Sequence, residues 1–481
     1  MTRQNRRQFI HKTLAAAATV TIAGTKSSGQ VVGANEVIRV AIAGLNGRGS
    51  AHLGAYAGMP NVQITHLVDP DTRTFANRVR QVQQRTDIAP TPVQDIRRAL
   101  EDRNLNAVSI ATPNHWHSLM TIWAAQAGKH VYVEKPMSHN VKEGRIAVEM
   151  ARRHNVIVQH GTQSRSSSNW QHAVELARSG QLGRLLVSRG LCYKRRNSIG
   201  TRPAGNAPAE VDFNLWLGPA AQQAFHANLV HYNWHWFWDF GNGDIGNQGV
   251  HQMDIARWAI RDATLPRSVI SVGGRLGYSD QGETPNTQIA VMDFGQTQLI
   301  FEVRGLPTQA YRGETVGNIF HCEEGTIAGN RFYPRGSDQP QPLPRLNREI
   351  ERRPGGGDHF ANFIAAVRSG RREDLNADIL EGHYSSALGH LANLSYRLGE
   401  SAPFNPRTRA FGDNRDAVET LERMEEHLGR GNNLMLDGLT YRVGKRLQID
   451  ARTETVTGDA DANRLLFRQY RAPFVVPERV G

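Results

Sequence analysis

A stretch near the N-terminus, residues 37–52, constrains the fold more than any other part of the chain. An apolar run of strand length ends at a glycine, and a helical pattern begins shortly after it. The residues predicted to form the intervening turn are Gly44, Asn46, Gly47, Arg48 and Gly49. A strand that turns sharply into a helix gathers free backbone N–H groups and the positive end of the helix dipole, which suits a pyrophosphate. Asn46 replaces the usual second glycine, so an ordinary glycine-rich loop is the alternative.

The next apolar strand, residues 62–68, ends at Asp69. An acid about 20 residues past the glycine turn is where a dinucleotide enzyme binds the ribose hydroxyls of adenosine. Because a carboxylate repels a 2′-phosphate, Asp69 favours NAD over NADP as the cofactor, although the nearby Arg73 weakens that preference. The alternative role for Asp69 is a helix N-cap.

The pattern of predicted strands and helices changes near residue 160. Strands and helices alternate before it, which predicts an α/β fold with a doubly wound parallel sheet. Strands then follow one another with few helices, which predicts a second α/β domain with a mostly antiparallel sheet. A chain of 481 residues exceeds one typical domain. We predict a cofactor domain at 35–160, a substrate and oligomerisation domain at 161–400, and a C-terminal extension at 401–481.

The first 34 residues read as an export signal rather than as part of the fold. Arg6 and Arg7 form a twin-arginine pair, and a short, weakly apolar stretch follows them. This pattern resembles a Tat-type signal, which predicts export of a folded protein to the periplasm. The alternative is a disordered basic tail. No apolar run is long enough for a permanent membrane-spanning helix, so stable membrane insertion is not expected.

The formal charge of +12 comes partly from this segment, which holds five basic residues and no acid, so its removal leaves +7. The other basic residues are interspersed with acids, and no nucleic-acid-binding motif accompanies them, so nucleic acid is not an expected partner. Cys192 and Cys322 are far apart in sequence, and whether they form a disulfide stays open. His383 and His390 share a helix face without a third ligand pattern, so no metal site is predicted.

Two further stretches carry chemistry. Glu134 and Lys135 follow a strand end, on the side of the sheet where ligands bind, and a lysine there can hold a substrate hydroxyl. Asn247 and His251 are four residues apart, at a spacing that places both on one face of a helix. The alternative roles are a surface lysine and a structural histidine.

Together, residues 44–49, 111–115 and 134–136 resemble the Gfo/Idh/MocA family of NAD(P)-dependent sugar oxidoreductases. The resemblance covers about residues 37–400 and implies an N-terminal Rossmann domain and a C-terminal domain with a large open sheet, which often forms homo-oligomer interfaces. It also implies that Lys135 and His251 are catalytic, with His251 as the general base. Asn247 stands where the family has an aspartate. The residues implied to line the nicotinamide side are Thr112, Pro113, Asn114 and His115.

An aromatic run at residues 231–239 suits stacking on sugar rings, although several of these rings must also pack under the sheet. The substrate-binding candidates are Trp234, His235 and Trp238 and, more weakly, Gln163, Arg165 and Lys194. These observations predict an oxidoreductase of a sugar, cyclitol or sugar derivative with tightly bound NAD or NADP. The alternatives are a glycosidase that uses NAD for transient oxidation and elimination, and a non-catalytic sugar-binding protein.

Overall fold

Six short strands form the N-terminal sheet. The structure, a computed structural model, describes residues 36–480, and the predicted signal at residues 1–34 lies outside them. The strands are β1 Ile38–Ala43, β2 Val62–Val68, β3 Thr91–Val93, β4 Ala107–Ile110, β5 His130–Val133 and β6 Val158–His160. They pair in the order β3-β2-β1-β4-β5-β6, and every pair is parallel. The apolar central strands are buried on both faces. The predicted doubly wound parallel sheet is confirmed.

Helices cover both faces of this sheet. The helices of the described residues are α1 Gly49–Tyr56, α2 Phe75–Thr86, α3 Ile96–Leu100, α4 Asn114–Gln126, α5 Val141–Arg153, α6 Ser168–Arg178, α7 Phe213–Leu217, α8 Gly249–Ala259, α9 His359–Ser369, α10 Ile379–Arg397, α11 Arg415–Asn432 and α12 Ala460–Leu465. Helices α4 and α5 share one core with the sheet. On the other face α1 is joined by α9, whose Phe360 and Phe363 pack against Ile38 and Tyr132. A helix from late in the chain therefore completes the N-terminal domain.

The second sheet has twelve strands. They are β7 Leu185–Tyr193, β8 Ser268–Gly274, β9 Thr287–Asp293, β10 Gln298–Arg304, β11 Val316–Cys322, β12 Gly325–Ala328, β13 Arg331–Pro334, β14 Gln341–Pro342, β15 Glu400–Pro403, β16 Thr440–Val443, β17 Leu447–Asp450 and β18 Thr455–Val456. The main path runs β14-β13-β12-β11-β7-β10-β9-β8-β16-β15, and β17 pairs with β8 and β18. Within this sheet, as far as the structure describes it, only β7 and β10 pair in parallel, so the predicted mostly antiparallel sheet is confirmed.

The two faces of the large sheet are covered by different parts of the chain. Helices α8 and α10 pack on one face. On the other face, Leu421, Met424 and Leu428 of α11 cover Ile270 and Ile300. The C-terminal extension thus supplies both strands and a covering helix to this sheet. The domain bounds proposed above stay a prediction.

The two cysteines occupy opposite ends of one strand pair. Cys192 lies opposite Val316, whereas Cys322 lies opposite Leu185, and both thiols are free and buried. A disulfide requires Cα atoms within about 7 Å, so this fold keeps Cys192 and Cys322 unpaired. None of the helices within residues 36–480 has the length and apolar character needed to span a bilayer.

Candidate active site

A cavity of about 620 Å³ lies where the carboxyl ends of the parallel strands face the second domain. Most residues predicted for the site line it: Gly44, Asn46, Gly47, Arg48, Asp69, Thr112, Pro113, Asn114, Glu134, Lys135, Gln163, Lys194, Trp234, His235, Asn247 and His251. Four predicted residues are not in its lining: Gly49, His115, Arg165 and Trp238. Parallel strands bring their carboxyl ends to one edge, which is why separate motifs of the first domain meet here.

The glycine turn is built by steric necessity. A Cβ on Gly49 would lie 1.9 Å from the Gly44 carbonyl oxygen, so Gly49 acts by letting α1 start against the turn. Gly44 has φ +84°, and a Cβ there would lie 2.5 Å from the Ala111 carbonyl oxygen. The left-handed residue near the broken motif is Gly47, at φ +47°, while the Asn46 side chain accepts a hydrogen bond from the Gly47 N–H at 3.1 Å. The motif therefore tolerates Asn46, because the left-handed conformation falls on the neighbouring Gly47, which adopts it without steric cost.

Asp69 lies at the tip of β2 and is buried. Its carboxylate accepts hydrogen bonds from the Leu45 N–H at 2.9 Å and from the Asp71 N–H at 3.0 Å. Burial nevertheless raises its pKa. Arg73 does not point its guanidinium to Asp69, because its Nε and Nη2 atoms bind the Asp71 carboxylate at 2.8 and 2.7 Å. The same carboxylate lies 2.7 Å from Nε2 of His231, a residue of the second domain.

Glu134 is held by three donors rather than free to act as a base. Its Oε1 lies 2.7 Å from Nε of Arg48, 2.9 Å from Nε2 of Gln163 and 3.2 Å from Nε2 of His52. Burial opposes ionisation of this carboxyl, but the His52 hydrogen bond and the Arg48 charge together hold its pKa well below the usual range. Glu134 therefore orders the turn residue Arg48 against the end of β5.

The predicted catalytic residues meet at the other end of the cavity. Lys135, whose bond to Pro136 is cis, donates a hydrogen bond from Nζ to the Asn247 Oδ1 at 2.7 Å. Burial lowers the pKa of Lys135. Burial also lowers the pKa of His251, to about 3, so its imidazole is neutral near pH 7. A neutral imidazole can accept a proton, and an ammonium held beside it can bind a hydroxyl oxygen.

Neither neighbouring aspartate takes the place of the aspartate that Asn247 replaces. Asp244 is buried and pairs with Arg196, its two carboxylate oxygens at 2.6 and 2.8 Å from the guanidinium. Asp254 is fully buried and binds Arg165 through both oxygens. Arg165 is thus a structural ion-pair residue of the second domain, which explains why it does not reach the cavity.

Two other predicted residues also pack away from the cavity. His115 is buried, with Nε2 donating to the Trp216 carbonyl at 3.0 Å and its ring edge against Phe240. Trp238 lies beside Tyr396 and under the Arg397 guanidinium, 5.2 Å from its ring centroid. Trp234 and His235, by contrast, stack at 3.6 Å between ring centroids and line the cavity.

Sequence reasoning missed several lining residues of the second domain. They are Leu215, Trp216, His231, Tyr232 and Gln248. His231 and Tyr232 belonged to the aromatic run that was noticed, and Gln248 adjoins Asn247, so proximity was an available signal. Leu215 and Trp216 lie on a short helix with no motif, and only the packing of that helix against the first domain places them here.

Comparison with known families agrees with this geometry. Residues 38–162 match the model of the oxidoreductase family with an NAD-binding Rossmann fold, and residues 193–321 match its C-terminal alpha/beta domain. Together the two models match just over half of the chain. The chain belongs to the Gfo/Idh/MocA oxidoreductase family. The family resemblance expected from residues 44–49, 111–115 and 134–136 is confirmed.

Several curated members of the family are similar to this chain. Levoglucosan dehydrogenase of Pseudarthrobacter phenanthrenivorans is 24% identical over 61% of this chain and 73% of its own. The scyllo-inositol 2-dehydrogenase (NAD(+)) of Bacillus subtilis is 29% identical over 36% of this chain and 47% of its own. A glycosyl hydrolase family 109 protein of Shewanella pealeana is 29% identical over 27% of this chain and 30% of its own. The chain thus spans less than half of the last two.

Solved family structures share the fold. The WlbA dehydrogenase from Bordetella pertussis, solved with NADH and UDP-GlcNAcA, superposes with a TM-score of 0.54. It is 19% identical and covers 74% of this chain and 97% of its own. This likeness shows that the two proteins share a fold.

The residues present fit a dinucleotide. Gly44 and Gly49 allow a turn too tight for any Cβ between β1 and α1, and a buried carboxylate lies at the tip of β2. Thr112 Oγ1 and Asn114 Nδ2 are buried without a partner among the described residues, at the cavity wall. A buried polar atom without a hydrogen-bond partner costs free energy, and a bound ligand at the cavity wall would supply that partner. A nicotinamide dinucleotide would be held by the 44–49 turn, Asp69 and Thr112–Asn114.

Proposed function

We propose that this protein is an NAD-dependent dehydrogenase of a sugar, cyclitol or sugar derivative, and that it keeps its cofactor bound. The observation that carries the proposal is the Lys135–Asn247 contact of 2.7 Å beside His251, in the same cavity as the glycine turn. The named dehydrogenase relatives act on a sugar anhydride and on a cyclitol, which supports this substrate class.

The mechanism assigns one task to each side chain. Lys135 holds the oxygen of the substrate hydroxyl through its ammonium group. Neutral His251 accepts the hydroxyl proton, and Asn247 orients Lys135 through its amide oxygen. A bound nicotinamide supplies the hydride acceptor for this chemistry. Trp234 and His235 offer aromatic faces for a sugar ring, and Gln163 and Lys194 add polar contacts at the cavity.

NAD is the proposed cofactor rather than NADP. The carboxylate of Asp69 lines the cavity and repels a 2′-phosphate, while the guanidinium of Arg73 is committed to Asp71. We therefore expect NAD to bind more tightly than NADP. Equal affinity for the two nucleotides would contradict this choice.

The twin-arginine start supports export to the periplasm as part of the proposal. An exported enzyme meets no free nicotinamide pool, so the cofactor has to be loaded before export and recycled in place. A homo-oligomer remains a prediction from the family's open sheet.

The alternative function is a glycosidase that oxidises a sugar transiently, eliminates the aglycone and then reduces the product. Similarity to family 109 glycosyl hydrolases supports it. A glycosidase would release the aglycone from glycosides without net NADH, whereas a dehydrogenase would accumulate oxidised sugar and NADH.

The first experiment identifies the nucleotide released on denaturing the purified protein, by mass spectrometry, and then screens sugars, cyclitols and glycosides for turnover. We expect stoichiometric NAD(H). Lys135→Met should lower turnover by about 10²- to 10⁴-fold, the usual weight of such a group, whereas Lys142→Met, on the exposed face of α5, should not. A protein that neither carries nor binds NAD(H) or NADP(H) would overturn the proposal.

A further inference from the structure

The last part of the chain braces the wall of the cofactor cavity. Residues 468–477, here called the C-terminal strap, have no helix or strand and lie against both halves of the molecule. Tyr470 donates to Glu143 at the start of α5, at 2.7 Å. Phe474 is 1% exposed and packs edge-on against Trp116 of α4, with ring centroids 5.4 Å apart. The strap is therefore built into the first domain rather than trailing from the second.

Arg471 of the strap binds the end of helix α7. Its guanidinium donates to the backbone carbonyls of Asn214 at 2.8 Å, Gly218 at 2.9 Å and Ala220 at 3.3 Å. These three carbonyls lie in and just after α7, and that of Asn214 also accepts from the Gly218 N–H at 3.1 Å. A rigid guanidinium fork can bind several of them at once, which an ammonium cannot do in the same geometry. One side chain thus fixes the whole end of α7.

The segment that Arg471 fixes is part of the cavity. Leu215 and Trp216 line it. Nε1 of Trp116 lies 3.1 Å from the Leu215 carbonyl and 3.2 Å from that of Trp216. A Cβ on Gly218 would lie 2.3 Å from the Trp116 ring, so the segment rests directly on that indole. Phe474 supports Trp116, and Arg471, whose guanidinium lies 5.0 Å from the Phe474 ring centroid, binds the carbonyls of the same wall.

The other end of this segment is tied to the first domain. The Thr72 N–H donates to the Glu210 carbonyl at 3.1 Å, and the Asp212 N–H donates to the Pro70 carbonyl at 2.9 Å. Residues 210–220 therefore run from the loop that follows β2 to the strap, and they are held by hydrogen bonds at both ends. Displacing this part of the wall requires breaking one of the two attachments.

We propose that Arg471 and Phe474 are positioning residues of the dinucleotide site, and that the strap slows release of the bound nucleotide by fixing residues 213–220. This inference rests on the proposed function, since it requires that NAD(H) binds in the cavity. It assigns cofactor retention, which an exported oxidoreductase needs, to a segment outside both family models.

The test measures the rate at which NADH leaves the protein, by the loss of its fluorescence when excess NAD is added. Arg471→Ala should speed NADH release by about tenfold, which corresponds to a free-energy barrier to release that is lower by about 1.4 kcal/mol. Arg471→Lys should recover only part of this. The matched control is Arg442→Ala, because Arg442 also binds backbone carbonyls, those of Arg397 and Gly399 at the end of α10, away from the cavity. It should leave the release rate unchanged.

Thermal unfolding of each variant, measured without nucleotide, separates positioning from general loss of stability. If Arg471→Ala does not fold, Phe474→Leu replaces it and should also speed release. If a folded Arg471 or Phe474 variant releases NADH at the wild-type rate, the strap has no role in retention, and the proposed function stays intact. Equal acceleration by Arg442→Ala also overturns it. A wild-type protein that binds no nucleotide defeats the proposed function as well.

Discussion

The two walls of the cavity are assembled in different ways. The Rossmann wall takes most of its groups from the residues directly after strands β1 to β5. The facing wall takes most of its groups from three separate stretches, residues 213–217, 231–235 and 247–251, to which Gln163 and Lys194 are added. The strap braces it from 251 residues beyond Ala220. Local geometry therefore builds one wall, and long-range packing builds the other.

Because of this difference, we expect the two walls to respond differently to mutation. In the Rossmann wall, Gly49 cannot take a side chain unless the backbone moves, because α1 begins in contact with the turn. In the facing wall each attachment is one of several, so we expect the loss of one to change rates rather than to abolish the site. The following predictions sharpen that contrast, beginning with the largest effect.

Gly49→Ala should damage the Rossmann wall severely. The new Cβ would lie 1.9 Å from the Gly44 carbonyl oxygen, and backbone cannot shift as cheaply as a side chain. Overpacking of this kind costs about 1–3 kcal/mol or more, so NAD affinity should fall by about 100-fold. Isothermal titration with NAD measures this. Gly58→Ala is the control, since a Cβ there meets nothing within 4 Å. Equal affinity of the two variants would show that the turn can relax.

Acid should destabilise both domains together. Burial lowers the pKa to about 3 for His115 and His160 of the first domain, and for His235 and His251 of the facing wall. These side chains titrate near 6.5 when unfolded. Between about pH 6.5 and about pH 3 the unfolded chain binds more protons, so stability falls as pH falls. Each histidine contributes about 1.4 kcal/mol per pH unit in that range.

Urea unfolding at about pH 7 and about pH 5 measures this loss. Nucleotide release and loss of secondary structure should follow one transition, because buried histidines of both domains take part. His390 is buried outside the cavity lining, and its pKa is lowered to about 3. His390→Asn should therefore reduce the pH dependence of the unfolding free energy by the equivalent of about one proton. Stability that does not change with pH over this range would contradict the buried neutral histidines.

Asn247→Asp should have the smallest and most specific effect. A carboxylate in contact with Lys135 stabilises its charged form and raises its pKa, which burial now lowers. If charged Lys135 binds the substrate hydroxyl, the basic limb of the pH profile of kcat/KM should move up by about one pH unit. Gln248→Glu places the same charge beside Lys194 instead and should leave that limb in place. An unmoved limb in Asn247→Asp would exclude Lys135 as the group that titrates there.

The fold and the Rossmann wall could be predicted from the sequence because their signals are local. Strand periodicity ends at Gly44, Asp69, Ala111 and Glu134, and the carboxyl ends of parallel strands necessarily meet at one edge. The tolerance of Asn46 was also foreseeable, although the structure places the left-handed conformation on Gly47. Lys135 was predictable as a strand-end residue for the same reason.

The tertiary structure alone decided the rest. Arg165 and Trp238 had the right chemistry for a site, yet they lie elsewhere. Arg165 binds Asp254, because a buried charge needs an opposite charge beside it, and Trp238 packs against Arg397 and Tyr396. Leu215 and Trp216 carried no motif but form the wall, since Arg471 and Trp116 fix their helix from distant positions. Strand ends converge by the geometry of the sheet, whereas a wall made from separate segments exists only once their long-range contacts have formed.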